Sequence, residues 1–246
     1  MFNTPKPFFR NAVRTTAQAF TRWQERWPSQ CLLCHAWPAR PVCDACAARL
    51  AAPRPRCRRC ALPVPEEVAV CGACLRDPPP LDACVACCDY QWPWPKCIAA
   101  FKFGADPGWA RSLALLMRAA PRAEQLLDAA DRVLPVPLAR ARLRERGFNQ
   151  ALELARCLAP TRMDARLLLR VRETPPQSGL KRAQRLRNLH GAFALDPARA
   201  AQVLGRRVLL VDDVMTSGAS LHAAARALRA GGAARVDALV FARTAA

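Results

Sequence analysis

A chain of 246 residues with an apolar fraction of 52% has material for one large domain, or for one domain with a small module attached. No run approaches the ~18 uninterrupted apolar residues of a membrane span, and the first residues lack the apolar core and small-residue cleavage site of a secretory signal. Thirty-eight basic residues against 19 acidic ones give a formal charge of +19, which favours a polyanionic partner or a phosphorylated ligand.

Residues 1–28 form a basic, aromatic leader. If Phe9–Trp27 is helical, Phe9, Val13, Phe20, Trp23 and Trp27 share one face, and Arg10, Arg14, Arg22 and Arg26 lie away from it. Such a stripe suits a membrane surface, nucleic acid, an organellar transit peptide or simple packing on the rest of the chain.

Four Cys-x-x-Cys pairs follow in a row: Cys31/Cys34, Cys43/Cys46, Cys57/Cys60 and Cys71/Cys74. Two residues between cysteines let both sulfurs turn toward one ion, and two pairs complete a tetrahedral shell. Taken in chain order the pairs give two closed four-cysteine sites, with an interleaved pairing also compatible with the spacing. A redox role suits any single pair but not four in 44 residues, and iron–sulfur ligation is the weaker metal reading. The expectation is two structural zinc ions in a module spanning 29–77, whose short, proline-rich sequence could not build a core unaided. Eight thiolates and two zinc ions would lower the charge by four, to +15. Cys84, Cys87 and Cys88 are expected to be buried strand residues rather than a third metal site, and Cys97 and Cys157 to be packing residues.

Pro78-Pro79-Pro80 marks a linker, and a domain over 81–246 is expected beyond it. There the pattern predicts strands over Leu81–Tyr90 and Cys97–Phe103, a helix over Trp109–Ala119, a strand over Arg132–Pro137 and a helix over Asn149–Leu158. A short strand over Leu167–Val171 comes next. Last come a strand over Arg207–Val211, its helix over Ser217–Ala230 and a strand over Arg235–Ala242. Strands alternating with helices imply an α/β fold with a mostly parallel sheet and helices on both faces.

Three stretches in this order carry chemistry. Val136-Pro137-Leu138 and Arg146-Gly147-Phe148-Asn149-Gln150 follow a strand and open a helix, which places Val136, Pro137 and Arg146 as candidates to meet a pyrophosphate, with Asn149 or Gln150 to cap or bind. Thr174–Asn188 reads as a basic loop whose Lys181, Arg182 and Arg185 could close over a ligand and assist a departing anion. Phe101-Lys102-Phe103 sets a cation between aromatics, a substrate-edge patch or plain strand alternation.

The most informative run is Val208–Ser220. An apolar strand leads into Asp212 and Asp213, then into the loop Thr216-Ser217-Gly218-Ala219-Ser220 and an alanine-rich helix. Ligands of open α/β sheets bind at the C-terminal ends of strands. A small-residue loop at a helix N-terminus offers N–H groups and a favourable dipole to phosphate. Two adjacent acids suit ribose hydroxyls, directly or through magnesium. The implied ligand is a sugar phosphate.

This run resembles the signature of type I phosphoribosyltransferases, which bind phosphoribosyl pyrophosphate (PRPP). Together with the Cys-x-x-Cys pairs, the Arg146–Gln150 block and the Thr174…Gln177…Leu180…Arg185…Asn188 spacing, it resembles the ComF/GntX family of competence-associated proteins from about residue 30 to 243. The resemblance implies a phosphoribosyltransferase-like fold behind a double zinc-ribbon-like module. It also implies a cytoplasmic protein, peripheral at the inner membrane if the leader attaches there, that meets single-stranded DNA and the DNA-uptake machinery. Three functions are compatible: a nucleic-acid-handling protein with PRPP as ligand, an active phosphoribosyltransferase with a small acceptor, and a PRPP- or nucleotide-sensing regulator without turnover. The leader and Cys84, Cys87 and Cys88 depart from the family pattern.

Overall fold

The computed structural model describes residues 30–245 apart from 38, 105–106 and 174–190. The leader 1–28 and the basic loop with Lys181, Arg182 and Arg185 lie outside the described residues. The chain divides into two compact units, residues 1–44 and 45–246. In the first, the Cys31 N–H donates to the Ala36 carbonyl at 2.9 Å and the His35 N–H to the Cys31 carbonyl at 2.8 Å, closing a tight turn around Cys31 and Cys34.

The second unit is built on four parallel strands in the order β1 (Ala83–Asp89), β6 (Arg235–Arg243), β5 (Arg207–Met215) and β2 (Arg132–Pro135). The central strands are near-continuous apolar runs because both faces of a parallel sheet are covered. Val208 pairs with Val236, Leu210 with Ala238 and Met215 with Arg243. On one face lie α4 (Trp109–Ala119), α5 (Ala123–Ala129) and α7 (Gln150–Leu158). On the other lie α8 (Ala219–Ala230) and a separate antiparallel pair, β3 (Leu168–Arg170) with β4 (Phe193–Leu195). No helix among the described residues is long and apolar enough to cross a membrane.

The second cysteine ribbon packs into this unit. Cys57, Cys60, Ala61 and Cys74 share one buried cluster with Leu81, Cys84, Met215 and Leu221. The Cys84 N–H donates to the Arg58 carbonyl at 2.8 Å, so the ribbon also caps the outer edge of β1.

Several expectations are corrected. Cys97–Phe103 is not a strand but the body of helix α3 (Trp94–Phe103). Its buried residues Trp94, Cys97, Ile98 and Phe101 follow the i, i+3, i+4, i+7 spacing of a helix, which outweighs the local Phe-Lys-Phe alternation. Strand β5 runs on through both acids to Met215 instead of ending at Val211, held by pairing of Asp212 with Val240 and Val214 with Ala242. Its helix begins at Ala219, two residues after the expected Ser217, because Gly218 takes a left-handed φ of 79°. Helices α5 and α6 (Arg140–Arg146) and strand β4 were not anticipated. Cys157 is exposed rather than packed, whereas Cys97 is buried.

Cys84, Cys87 and Cys88 are buried in β1. Their thiols face the Met215 sulfur at 3.6 Å, the Leu116 carbonyl at 3.3 Å and the Phe241 carbonyl at 3.4 Å respectively. They form no candidate metal group among the described residues.

Candidate functional site

The end of β5 brings together four charged side chains from three elements. Asp213 accepts an ion pair from Lys102, on the last turn of α3, with 2.7 Å between Nζ and Oδ2, and both side chains are largely buried. Asp212 stands beside it, and each carboxylate accepts a backbone N–H of the next residue: Asp213 N–H to Asp212 Oδ1 at 2.9 Å and Val214 N–H to Asp213 Oδ1 at 2.7 Å. Burial, reinforced by the neighbouring Asp213 charge, pushes the Asp212 carboxyl from 3.8 up to about 8. Arg146 completes the group. Its guanidinium pKa is lowered by burial, while the attraction of Asp213 and, more weakly, Asp212 opposes that shift.

The Arg146–Gln150 block is what puts Arg146 there. Arg146 is the last residue of α6, and Gly147 at φ 78° closes that helix in a left-handed cap that a side chain would strain. Asn149 caps α7 by accepting the Ala151 N–H at 3.0 Å and donates to the Val136 carbonyl at 3.1 Å, tying the exit of β2 to the next helix. Gln150 is buried and accepts from Arg146 Nη1 at 3.0 Å. The Arg146 guanidinium lies 5.2 Å from the centre of the Phe103 ring, and Phe148 meets Phe101 at 5.6 Å. The Val136 N–H donates to the Val211 carbonyl at 3.0 Å. Both backbone polar groups of Val136 are therefore in use and Pro137 has no N–H, so of Val136, Pro137 and Arg146 the guanidinium carries the available donors.

Beyond the acids, Thr216 is exposed, Ser217 half-buried and Gly218 buried. Ser217 Oγ accepts the Ala219 N–H at 3.4 Å, and the His222 N–H donates to the Gly218 carbonyl at 2.8 Å. The loop is held from behind by Arg243, which is 4% exposed. Its guanidinium donates to the carbonyls of Met215 at 3.0 Å, of Thr216, and of Thr244 at 2.7 Å, while its Nε donates to the Cys60 carbonyl at 2.9 Å. One buried cation thus joins the second cysteine ribbon to the start of the loop. Sequence reading missed both Lys102 as a partner of Asp213 and Arg243. The helical period of α3 would have placed Lys102 on a helix, but nothing local signals its meeting with Asp213 or the role of Arg243.

The cysteines gather as two sets, Cys31, Cys34, Cys43 and Cys46, and Cys57, Cys60, Cys71 and Cys74, with the sulfurs of each set within 4.8 Å of one another. This is the sequential pairing, not the interleaved one. The Cys34–Cys43 and Cys60–Cys71 sulfurs are each 3.6 Å apart, near the ~3.8 Å edge of a tetrahedron with Zn–S bonds of ~2.3 Å. The Cys43 N–H points at Cys31 Sγ (3.4 Å) and the Cys71 N–H at Cys57 Sγ (3.3 Å). Burial works to raise these two thiols, but backbone N–H groups outweigh it and hold Cys31 lowered to about 6 and Cys57 to about 7. Four convergent sulfurs with N–H donors that favour thiolate fit a closed structural zinc site.

A carboxyl whose pKa is raised by folding binds its proton more tightly in the folded chain. The stability this gives is full below the unfolded value of 3.8 and is lost as pH rises through about 8. Asp212→Asn is therefore expected to raise the thermal midpoint of ligand-free protein at pH 8, with the gain shrinking toward pH 4. Melting curves across that range check it, and a lower midpoint at pH 8 would contradict the burial argument.

A phosphoribosyl transferase domain model matches residues 113–246, and a double zinc ribbon model matches residues 26–75. The DNA utilization protein YhgH of Escherichia coli O6:H1 is 33% identical over 226 residues, covering 88% of this chain and 98% of that protein. Competence protein F of Haemophilus influenzae is 34% identical over 196 residues, 76% of this chain and 84% of the relative. Competence protein ComFC of Bacillus subtilis is 38% identical over 96 residues, 39% of this chain and 37% of the relative.

Proposed function

Because this chain belongs to the ComF/YhgH family of competence and DNA-utilization proteins, with a phosphoribosyl transferase domain behind a double zinc ribbon, we propose that it binds PRPP at the end of β5 and handles single-stranded DNA during uptake. The observation that carries the ligand reading is the placing of Asp212 and Asp213 just before a small-residue loop whose N-cap, Gly218, is left-handed. The 5′-phosphate sits on the N–H groups of Thr216–Ser220 at the start of α8. The ribose hydroxyls lie on Asp212 and Asp213. Lys102 neutralises Asp213 until the sugar arrives, and then turns to the pyrophosphate beside Arg146 and the Val136–Pro137 exit of β2. Lys181, Arg182 and Arg185 are the candidates to assist the departing pyrophosphate. The two carboxylates offer the hard oxygens that magnesium prefers, and the ion would neutralise pyrophosphate oxygens when bound with PRPP.

Two zinc ions are structural in this reading, held by the two four-cysteine sets with no open position for chemistry. The leader 1–28, the ribbons 29–77 and the domain 81–246 divide the labour between surface attachment, nucleic acid and sugar phosphate. The protein works on the cytoplasmic side, beside the uptake machinery.

A second reading, transfer of ribose 5-phosphate to a small acceptor, is favoured by one observation. A mainly apolar cleft of about 380 Å³ lies beside the Arg146 block, lined by residues that include Pro137, Leu138, Phe148 and Leu152. Its size suits a small ring. Calorimetry with PRPP and magnesium tests the shared core of both readings. Saturable heat is expected, lost in the Asp212→Asn/Asp213→Asn double variant, and wild type without heat at millimolar PRPP would end the ligand reading. Pyrophosphate release on adding an acceptor would separate a transferase from a binding protein or sensor.

Metal analysis should return two zinc ions per chain. Cys43→Ala should lose one ion and leave the unit 45–246 folded, whereas Cys71→Ala should lose the other and also lower the melting temperature of the sheet, because the second ribbon shares its core. Equal melting curves for the two variants would refute that asymmetry.

A further inference from the structure

A cavity of about 190 Å³ opens between the second ribbon and the outer edge of β1, closed on the far side by the turn before α5. Four arginines line it: Arg54, Arg56, Arg58 and Arg122. One carboxylate answers them. Asp89 pairs with Arg54 and, at 2.8 Å, with Arg56, whose Nη1 also donates to the Ala61 carbonyl at 3.1 Å. Arg58 and Arg122 form no ion pair among the described residues. Like charges drawn around one cavity repel, and an anion placed among them relieves that repulsion.

Three details argue for a shaped site over a merely basic surface. Arg58 is fixed by its backbone, its N–H donating to Ala69 at 2.9 Å and its carbonyl accepting from Cys84 at 2.8 Å. Arg122 holds a left-handed φ of 69°, which costs an L-residue stability and persists where the surroundings impose it. Cys84 sends its N–H outward from the edge of β1, and by strand alternation Ala86, which lines the cavity, sends its own to the same side. Guanidinium forks with an edge N–H are donors matched to phosphate oxygens.

We propose that this cavity is a phosphate site on the path of single-stranded DNA, gripping one or two backbone phosphates between Arg58 and Arg122. The proposal rests on the single-strand reading above. The cavity lies between two elements of one unit, so the strand would run along the ribbon and the edge of β1. Pro53, Pro55 and Pro121, whose rings fix their own φ, line the cavity between the arginines.

The test is a titration of fluorescent oligothymidylate against full-length wild type, Arg58→Ala/Arg122→Gly and Arg166→Ala/Arg226→Ala, at several salt concentrations. Both doubles remove two exposed arginines and the same net charge, and glycine at 122 suits the left-handed backbone. The cavity double should bind at least roughly tenfold more weakly than wild type, with the salt slope shallower by about 1.4 for two lost phosphates. The control double should bind within about threefold of wild type. Equal losses in the two doubles would show that bulk charge alone acts, and would overturn the proposal while leaving DNA binding intact. Wild type that fails to bind at low salt overturns the single-strand reading, and this proposal with it. A parallel melt with inorganic pyrophosphate separates the sources: stabilisation of wild type lost in the cavity double, without oligonucleotide binding, would assign the cavity to a free anion instead.

Discussion

Replacing Arg243 by methionine is expected to abolish PRPP binding and to lower folding stability by about 2–4 kcal/mol, since several buried carbonyls lose a donor at once. The carbonyls of Met215, Thr216, Thr244 and Cys60 accept from this one guanidinium, so its removal frees the first residues of the loop and cuts the link to the second ribbon. Arg243→Lys separates the two effects. A lysine ammonium can reach one side but lacks the planar fork that spans both. It should keep the fold within about 1–2 kcal/mol of wild type while weakening PRPP at least tenfold. Urea unfolding and calorimetry read both quantities. Wild-type PRPP affinity in the lysine variant would show that the loop does not depend on the link. The same geometry predicts that chelating zinc weakens PRPP, because the Cys60 carbonyl lies within the second four-cysteine set.

Gly218→Val is the second large effect expected, with PRPP binding lost by more than about a hundredfold. A Cβ at 218 would stand 2.6 Å from Met215 Cε and 2.8 Å from His222 Nε2, and φ there is +79°. The left-handed backbone alone costs an L-residue about 1–2 kcal/mol, and a β-branched side chain there must also displace Met215 and His222, which shifts the loop whose N–H groups would hold the phosphate. Gly218→Ala should fall between, less stable by about 1–2 kcal/mol and weaker in binding. Thermal melts with and without PRPP measure both. An alanine variant that binds as wild type would mean that the phosphate does not approach this backbone.

The second ribbon changes what a truncation means. A fragment starting at residue 81 would lose Cys57, Cys60, Ala61 and Cys74 from the buried cluster they share with Leu81, Cys84 and Met215. Each fully buried aliphatic side chain is worth about 1.5–3 kcal/mol, so such a fragment is expected to melt well below the intact chain. The unit 45–246 is the better minimal piece, since it keeps that core cover.

What the sequence determined by itself was set by short-range signals. Two residues between cysteines let both sulfurs of one pair turn toward one ion, while which pairs combine was decided by the fold. A continuous apolar run fixes a two-sided buried strand, as in β5 and β6. Asn149 before an amphipathic stretch fixes a helix start, and its side chain does accept the Ala151 N–H. The loop Thr216–Ser220 after two acids is equally local. Where two local signals competed, as in α3, the sequence alone chose wrongly. Alternation in three residues looked like a strand, and only the fold revealed Trp94, Cys97, Ile98 and Phe101 as one buried helical stripe. The charged partners of the site were decided by tertiary structure. Lys102 meets Asp213 from 111 positions away, Arg243 reaches back to Cys60 across 183, and Arg58 comes to line the same cavity as Arg122. No periodicity records such pairs, because each side chain's own neighbours in sequence are satisfied without it. Their meeting depends on the order β1-β6-β5-β2 and on where the second ribbon and each helix pack on that sheet. That order is fixed by the joint burial of many apolar side chains, a property of the whole chain that no single segment carries.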